Sequence, residues 1–210
     1  MSPLQIAVHK KNLEIVNLLL QQNYISILDG TFYECTFLTG ELTIPSNIRY
    51  IGKDAFKKCS LLSKISIDCP LSSIEDGTFC ECTSLKEIQV PPTIKSIGLK
   101  SFYNCSSLVE FKIPPSVTFI NSYAFSGCSS LIEIEIPSSV TKIGKYIFNE
   151  CLSLEKVFLP SSIRFIPDYS FNKCKNLSII DIPDSVIGIG ISVFCECSSL
   201  KKIKIPPLVE

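Results

Sequence analysis

The sequence predicts a repeat solenoid: short parallel β-strands and short helical turns wound into stacked coils, with a helical pair ahead of them. Three observations predict it. Eight times a phenylalanine precedes a cysteine by three residues, at Phe32/Cys35, Phe56/Cys59, Phe79/Cys82, Phe102/Cys105, Phe125/Cys128, Phe148/Cys151, Phe171/Cys174 and Phe194/Cys197. Six of the seven steps between these phenylalanines are 23 residues and the first is 24. A leucine follows each cysteine by three, from Leu38 to Leu200. Two β-favouring residues one apart come next, usually closed by a proline. A fixed period in this range marks units that bury their apolar faces against one another.

Each element follows from its residues. The pairs Ile65/Ile67, Ile88/Val90, Phe111/Ile113, Ile134/Ile136, Val157/Leu159, Ile180/Ile182 and Ile203/Ile205 alternate as a short strand with one buried face does. Pro45, Pro91, Pro114, Pro137, Pro160, Pro183 and Pro206 end that strand, because proline has no N–H for a ladder. Asp68 holds the position in the second unit. A second apolar pair such as Val140/Ile143 follows, often with Gly52, Gly98, Gly144 or Gly190 after it, which suits a turn needing positive φ. The run Asp54-Ala55-Phe56 then predicts a short helical turn on the far side of the coil. Stacked coils would place strands ~4.8 Å apart.

Residues 128–151 read Cys128-Ser-Ser-Leu131-Ile-Glu-Ile134-Glu-Ile136-Pro137-Ser-Ser-Val140-Thr-Lys-Ile143-Gly144-Lys-Tyr-Ile-Phe148-Asn-Glu-Cys151. This string resembles the BspA-like class of leucine-rich repeats, and the resemblance covers residues 24–210. It implies a curved, right-handed solenoid used for protein binding, as in bacterial surface proteins and protist surface antigens. Departures include an extra residue near Thr39–Glu41, Asp68 for proline, and Glu75, Asn121 and Pro167 where glycine is commoner. Residues 1–23 differ. Ser2-Pro3-Leu4-Gln5-Ile6-Ala7-Val8 and Asn12-Leu13-Glu14-Ile15-Val16-Asn17-Leu18-Leu19-Leu20 resemble most of one ankyrin repeat, with Gln5 and Lys11 where that family has histidine and glycine. Ser2 can cap a first helix with Pro3 at its first position. The Leu4/Ala7/Val8 and Ile15/Val16/Leu19 spacings predict two amphipathic helices. Tyr24 and Ile27 align with Leu71 and Ile74, so the pair is expected to abut the first coil as a cap. A remnant of a longer ankyrin array is the alternative. At the other end, Pro206-Pro207-Leu208-Val209-Glu210 stops halfway round a coil, and end-to-end association or a longer natural chain is expected.

Composition narrows the function. Hydrophobic residues are 46% and charged ones 19%, which argues against disorder. Twenty basic residues balance twenty acidic ones with no Lys/Arg run, which argues against nucleic-acid or anionic-membrane binding. No apolar run is long enough to span a bilayer as a helix, so direct membrane insertion is not expected. His9, Lys10, Lys11 and Glu14 interrupt any signal-peptide pattern. Eight of the eleven cysteines share one repeat position, where stacked thiols point the same way and do not readily reach disulfide torsions. A reducing, cytoplasmic location is favoured on that basis, with the cell surface as the alternative.

Catalysis finds no constellation. His9 is the one histidine, so no Ser–His–Asp or Cys–His set forms within the solenoid, and the glycines sit singly. Cys80-Glu81-Cys82 and Cys195-Glu196-Cys197 lie five coils apart, ~24 Å by strand spacing, too far for one tetrahedral metal. Cys69 belongs to neither. The sequons at Asn104 and Asn176 matter only in a secreted chain. Neither enzymatic activity nor a cofactor or metal is expected.

The repeat does pattern its surface. Side chains between the two core β residues point outward, forming the row Thr43, Ser66, Gln89, Lys112, Glu135, Phe158, Asp181 and Lys204. A second row holds Lys64, Glu87, Glu110, Glu133, Lys156, Ile179 and Lys202. Like charges at Glu87, Glu110 and Glu133 repel, and exposed Phe158 and Ile179 cost solubility, so neither feature serves the fold. The expected function is a non-catalytic protein-interaction scaffold whose contacts come from Glu87, Glu110, Lys112, Glu133, Glu135, Phe158, Ile179 and Asp181. A surface adhesin or antigen is the alternative.

Overall fold

The computed structural model describes residues 3–11, 13–22 and 26–209. Among these residues, helices α1 (Pro3–His9) and α2 (Leu13–Leu20) lead into fourteen short strands, all paired in parallel. The expected cap Ser2, the alignment position Tyr24 and the side chain of His9 lie outside the described residues. Leu4, Ala7, Val16 and Leu20 join the same continuous core as the coils, whereas Ile15 is exposed. The inward stripe of α2 is therefore Val16, Leu19 and Leu20, with the expected Ile15 outside it. Asn47, in the first coil, donates to the Leu20 and Gln22 carbonyls at 3.1 and 2.7 Å and so ties the end of α2 to the solenoid.

The first strand of each coil builds the main sheet, in two blocks. β2 (Gly40–Ile44), β4 (Leu62–Ile67) and β6 (Glu87–Gln89) form one; β9 (Glu133–Glu135), β11 (Lys156–Phe158) and β13 (Ile179–Asp181) form the other. Between them, residues 110–112 form no strand. At the centre of this break Phe111 stands where neighbouring coils hold Ile88 and Ile134. Its ring tilts by 50° against Phe102 at 4.9 Å and Phe125 at 5.2 Å. Phe102 and Phe125 still stack directly at 5.3 Å, so the Phe111 ring lies beside them rather than between them, and it takes more room there than an isoleucine. At the C-terminal end, Ile203 and Ile205 form no strand and Ile205 is exposed.

The second strands form a second sheet: β1 (Ser26–Ile27) with β3 (Tyr50–Ile51); β5 (Ser73–Ile74), β7 (Ser96–Ile97), β8 (Phe119–Ile120) and β10 (Lys142–Ile143) in sequence; and β12 (Phe165–Ile166) with β14 (Gly188–Ile189). The expected positive φ at Gly52, Gly98, Gly144 and Gly190 is not found. Among the described residues, the left-handed glycines are Gly30, Gly40, Gly77 and Gly127. Gly144 is small for another reason: a Cβ there would sit 2.2 Å from the Ser122 nitrogen and 2.5 Å from the Asn121 carbonyl carbon. The preceding coil passes too close for a side chain.

The Phe-Cys side is not helical either. Two left-handed residues flank each phenylalanine, for example Tyr146 and Glu150 around Phe148. The chain between them alternates turn bonds with bonds to the next coil. Tyr146, Phe148 and Glu150 donate N–H to the carbonyls of Asp168, Ser170 and Asn172 at 2.9–3.0 Å. A third ladder thus runs the length of the solenoid, satisfying backbone that one helical turn would leave unpaired. Inside it the eight phenylalanines stack at 4.9–5.7 Å. From the second coil on, a thiol reaches back one coil, as from Cys59 to the Phe32 carbonyl at 3.0 Å.

Candidate protein-binding face

The main sheet sets its outward side chains by strand register. Glu135, Phe158 and Asp181 are partners across β9, β11 and β13, and Glu133, Lys156 and Ile179 form the adjoining row. On the other block, Thr43, Ser66 and Gln89 align, as do Glu41, Lys64 and Glu87. The alternation is as expected: Ile134 and Val157 are buried while their neighbours in β9 and β11 face out. Phe158 is 48% exposed and Ile179 52%, so the two make an apolar spot on one side of Lys156.

The break at Phe111 shapes the rest of this face. A depression of about 650 Å³ opens there, with Glu87, Glu110, Lys112, Glu133 and Glu135 on its walls and Ile88, Phe111 and Ile134 at its base. Five of the eight predicted contact residues are brought to one concavity. Phe158 and Asp181 continue its rim through their register with Glu135, and Ile179 sits beside them. The acidic stripe is less uniform than its residues suggest, because Lys64 reaches across to Glu87 at 3.3 Å. The net negative character lies with Glu110, Glu133 and Glu135, opposed by Lys112.

The ladder thiols on the Phe-Cys side are withdrawn from solvent. All eleven cysteines are free. Burial pushes Cys82 up to about 12, and Cys35, Cys80 and Cys197 to about 11, so these thiols stay protonated near neutral pH. Cys195 is the exposed one. Among the described residues, no group of three or more His, Cys, Asp or Glu side chains is placed to hold a metal. No helix there is long and apolar enough to cross a membrane.

Several polar positions escape sequence reasoning. The serine of each Pro-x-Ser-Val corner donates to the core carbonyl one coil back, as Ser139 to Val117 and Ser162 to Val140, both at 2.6 Å. Its recurrence in the repeat is the signal that could find it. Tyr123, Tyr146 and Tyr169 occupy left-handed positions and stack at 4.6 Å with rings 5° apart. The 23-residue spacing carries this ladder too.

With this geometry, the family comparison is decisive. The BspA type leucine-rich repeat region matches residues 7–131 and 95–210. The chain belongs to the BspA-type leucine-rich repeat family. The match starts within α1, ahead of the expected boundary at residue 24. Among solved structures, the T. pallidum leucine-rich repeat protein is similar at 29% identity with a TM-score of 0.71, over 76% of this chain and 77% of that one. A leucine-rich repeat protein from Eubacterium ventriosum shares the fold at 17% identity and TM-score 0.51, over 88% and 77%. A leucine-rich cell surface protein from Faecalibacterium prausnitzii aligns at 22% identity and TM-score 0.44, over 84% and 75%. No curated protein sequence matches the chain. Such repeats are typically non-catalytic binding modules.

Proposed function

We propose that this BspA-type solenoid is a non-catalytic protein-binding scaffold that uses the outward face of its main sheet. One observation carries the reading: the acidic depression at Phe111 runs by strand register into the exposed apolar pair Phe158/Ile179. A rigid concavity rimmed by charge with an aromatic anchor beside it is the usual form of a protein contact site. Its complement is a partner segment with basic residues next to an aliphatic or aromatic side chain. The test is capture of partners from cells of the source organism by wild type and by the Phe158→Ser/Ile179→Ser variant, with circular dichroism and melting on both. The variant should lose capture while melting unchanged; equal capture by a folded variant overturns the reading. The surface-antigen alternative draws on family membership alone, and detection on intact cells separates the two. In the same reading the ankyrin-like helical pair closes the N-terminal end of the core, supported by Leu4, Ala7, Val16 and Leu20 in the common cluster. Exposed Ile191, Ile205 and Leu208 at the other end favour end-to-end association. Light scattering across a concentration series would test that; a monodisperse monomer throughout overturns it.

A further inference from the structure

The chemistry that suits the main-sheet face is present on the chain's own second sheet. In five coils the residue after the second strand donates its N–H to the isoleucine carbonyl of the preceding coil: Gly52 to Ile27, Gly98 to Ile74, Asn121 to Ile97, Gly144 to Ile120 and Gly190 to Ile166, all at 2.8 Å. The residue due to meet Ile143 is Pro167, which has no N–H, so the ladder stops at β10 and restarts at β12 with Phe165. Phe165 is held against Gly188, where a Cβ would come within 2.7 Å of its ring, yet it stays 51% exposed. Arg164 precedes it, and Lys142 of the preceding coil lies over the Phe119 ring at 5.7 Å. The two outward rows of this sheet, from Arg49/Tyr50 to Ile187/Gly188, hold the cations Arg49, Lys95, Lys142 and Arg164 and no carboxylate. Among the described residues no ion pair involves Lys142 or Arg164, nor Glu110, Glu133 or Glu135 on the main sheet.

We propose that the main-sheet face binds a second copy of this chain, presented through its second sheet. The pairing rests on the main-sheet reading above: that face calls for basic residues beside an aromatic anchor, and Lys142, Arg164 and Phe165 are such a set. Charges match. Glu110, Glu133 and Glu135 outnumber Lys112 around the depression, while the second sheet offers cations only. Spacing matches too. Going back along one copy, Phe165, Lys142 and Phe119 lie on successive coils; going forward along the other, Phe111, Glu135 and Phe158 do. Each step is one strand spacing, ~4.8 Å. With the two solenoids antiparallel, Phe165 enters the depression over Ile88, Phe111 and Ile134, with Arg164 beside Glu110 and Lys142 beside Glu133 and Glu135. Phe158 in turn reaches the cleft of about 700 Å³ that Phe119 and Phe165 line. Each exposed ring thus fills a hollow on the other copy, and the cations meet carboxylates around it. Twenty basic and twenty acidic residues leave no net repulsion between copies. The two surfaces differ, so the contact is heterologous: a copy bound through one still offers the other, and association continues past the dimer.

Sedimentation velocity of the full chain over a concentration series tests this. Average mass should rise with concentration at about 0.05 M salt and fall back toward the monomer at about 0.5 M, where exposed charge pairs are screened. Glu133→Lys/Glu135→Lys disables the main-sheet surface, and Lys142→Ser/Arg164→Ser disables the second-sheet surface. Each alone should weaken association at least tenfold. An equimolar mixture of the two should recover it, but only as two-chain complexes, because each variant keeps just the surface that the other lacks. Phe165→Ser should also weaken association at least tenfold. Circular dichroism and melting establish that each variant is folded. A wild type that stays monomeric throughout, a folded variant that associates as wild type does, or a mixture that forms no two-chain complex overturns the proposal. Association that survives both pairs of substitutions belongs to the exposed C-terminal end and overturns it as well. None of these outcomes decides the main-face reading, which falls only if Phe158→Ser/Ile179→Ser leaves partner capture unchanged.

Discussion

The Cys128 thiol donates to the Phe102 carbonyl one coil back, at 3.2 Å. That oxygen also accepts the Cys105 N–H at 3.1 Å, so both its lone pairs are used inside the core. The arrangement recurs from Cys59 to Cys197 at 3.0–3.2 Å. Cysteine suits the position because it is small and apolar yet carries a weak donor. Cys128→Ala removes the donor and leaves a void between rings, and should cost about 1–3 kcal/mol in urea unfolding. Cys197→Ala should cost less, because Cys197 is half-buried where the core opens. Equal costs would show that the packing around the thiol is immaterial to its contribution.

The same burial makes stability fall in alkali. An unfolded thiol ionises near pH 8.5, whereas burial holds Cys35, Cys69, Cys80 and Cys197 to about 11 and Cys82 to about 12. Between those values the unfolded chain has lost protons that the folded chain retains, so rising pH favours unfolding. The thiol contribution is complete below about pH 8.5 and is lost as pH climbs through the folded values. Lysines held up by a carboxylate, such as Lys145 beside Asp168, add their loss only above about 10.4. Melting temperature should be flat from about pH 6.5 to 8 and begin to fall near 9. An onset near 10.4 would assign the loss to lysines instead. In native alkylation at about pH 8, Cys195 should label first and the ladder cysteines only on unfolding.

Two glycines separate two reasons for the residue. Gly40 has φ of +73° with nothing within 4 Å of a built Cβ. Gly40→Ala should therefore cost only the left-handed backbone penalty, about 1–2 kcal/mol. Gly144→Ala forces a Cβ against the backbone of residues 121–122, which cannot move without parting two ladders. It should cost more, roughly 3 kcal/mol, by denaturant unfolding. The reverse order would mean that neighbouring coils slide freely past each other.

The contrast between these glycines also marks what a sequence can convey. A 23-residue step states which side chains share a face, and so the register of Glu135, Phe158 and Asp181 follows from the repeat alone. It does not state which backbone groups meet. Gly144 and Gly30 look alike as turn residues, and only the neighbouring coil distinguishes close approach from a left-handed φ. The Phe-Cys run has the apolar spacing of a helical turn, yet its N–H groups have partners in the next coil, and those partners override the local preference. Pro167 is visible as a departure from glycine, but its effect depends on the Ile143 carbonyl lying opposite. The depression is unreadable for a similar reason. Phe111 is an acceptable β residue, and only its contact with two stacked rings makes it a wedge.

Phe111 therefore permits a direct test of how the depression arises. Phe111→Ile places the residue of the flanking coils between Ile88 and Ile134. With the tilted ring gone from beside Phe102 and Phe125, the backbone of residues 110–112 can approach β6 and β9 and join them into one sheet. Amide exchange at residues 110–113 should slow by at least about tenfold, the change that ~1.4 kcal/mol of added local protection produces. The smaller side chain also removes apolar contact, so global stability should drop by about 1–2 kcal/mol even as local protection rises. Opposite signs of the local and global effects identify a wedge. If exchange at 110–113 stays fast while stability falls, the break belongs to the proline corners at Pro91-Pro92 and Pro114-Pro115, and Phe111 only fills the space they leave.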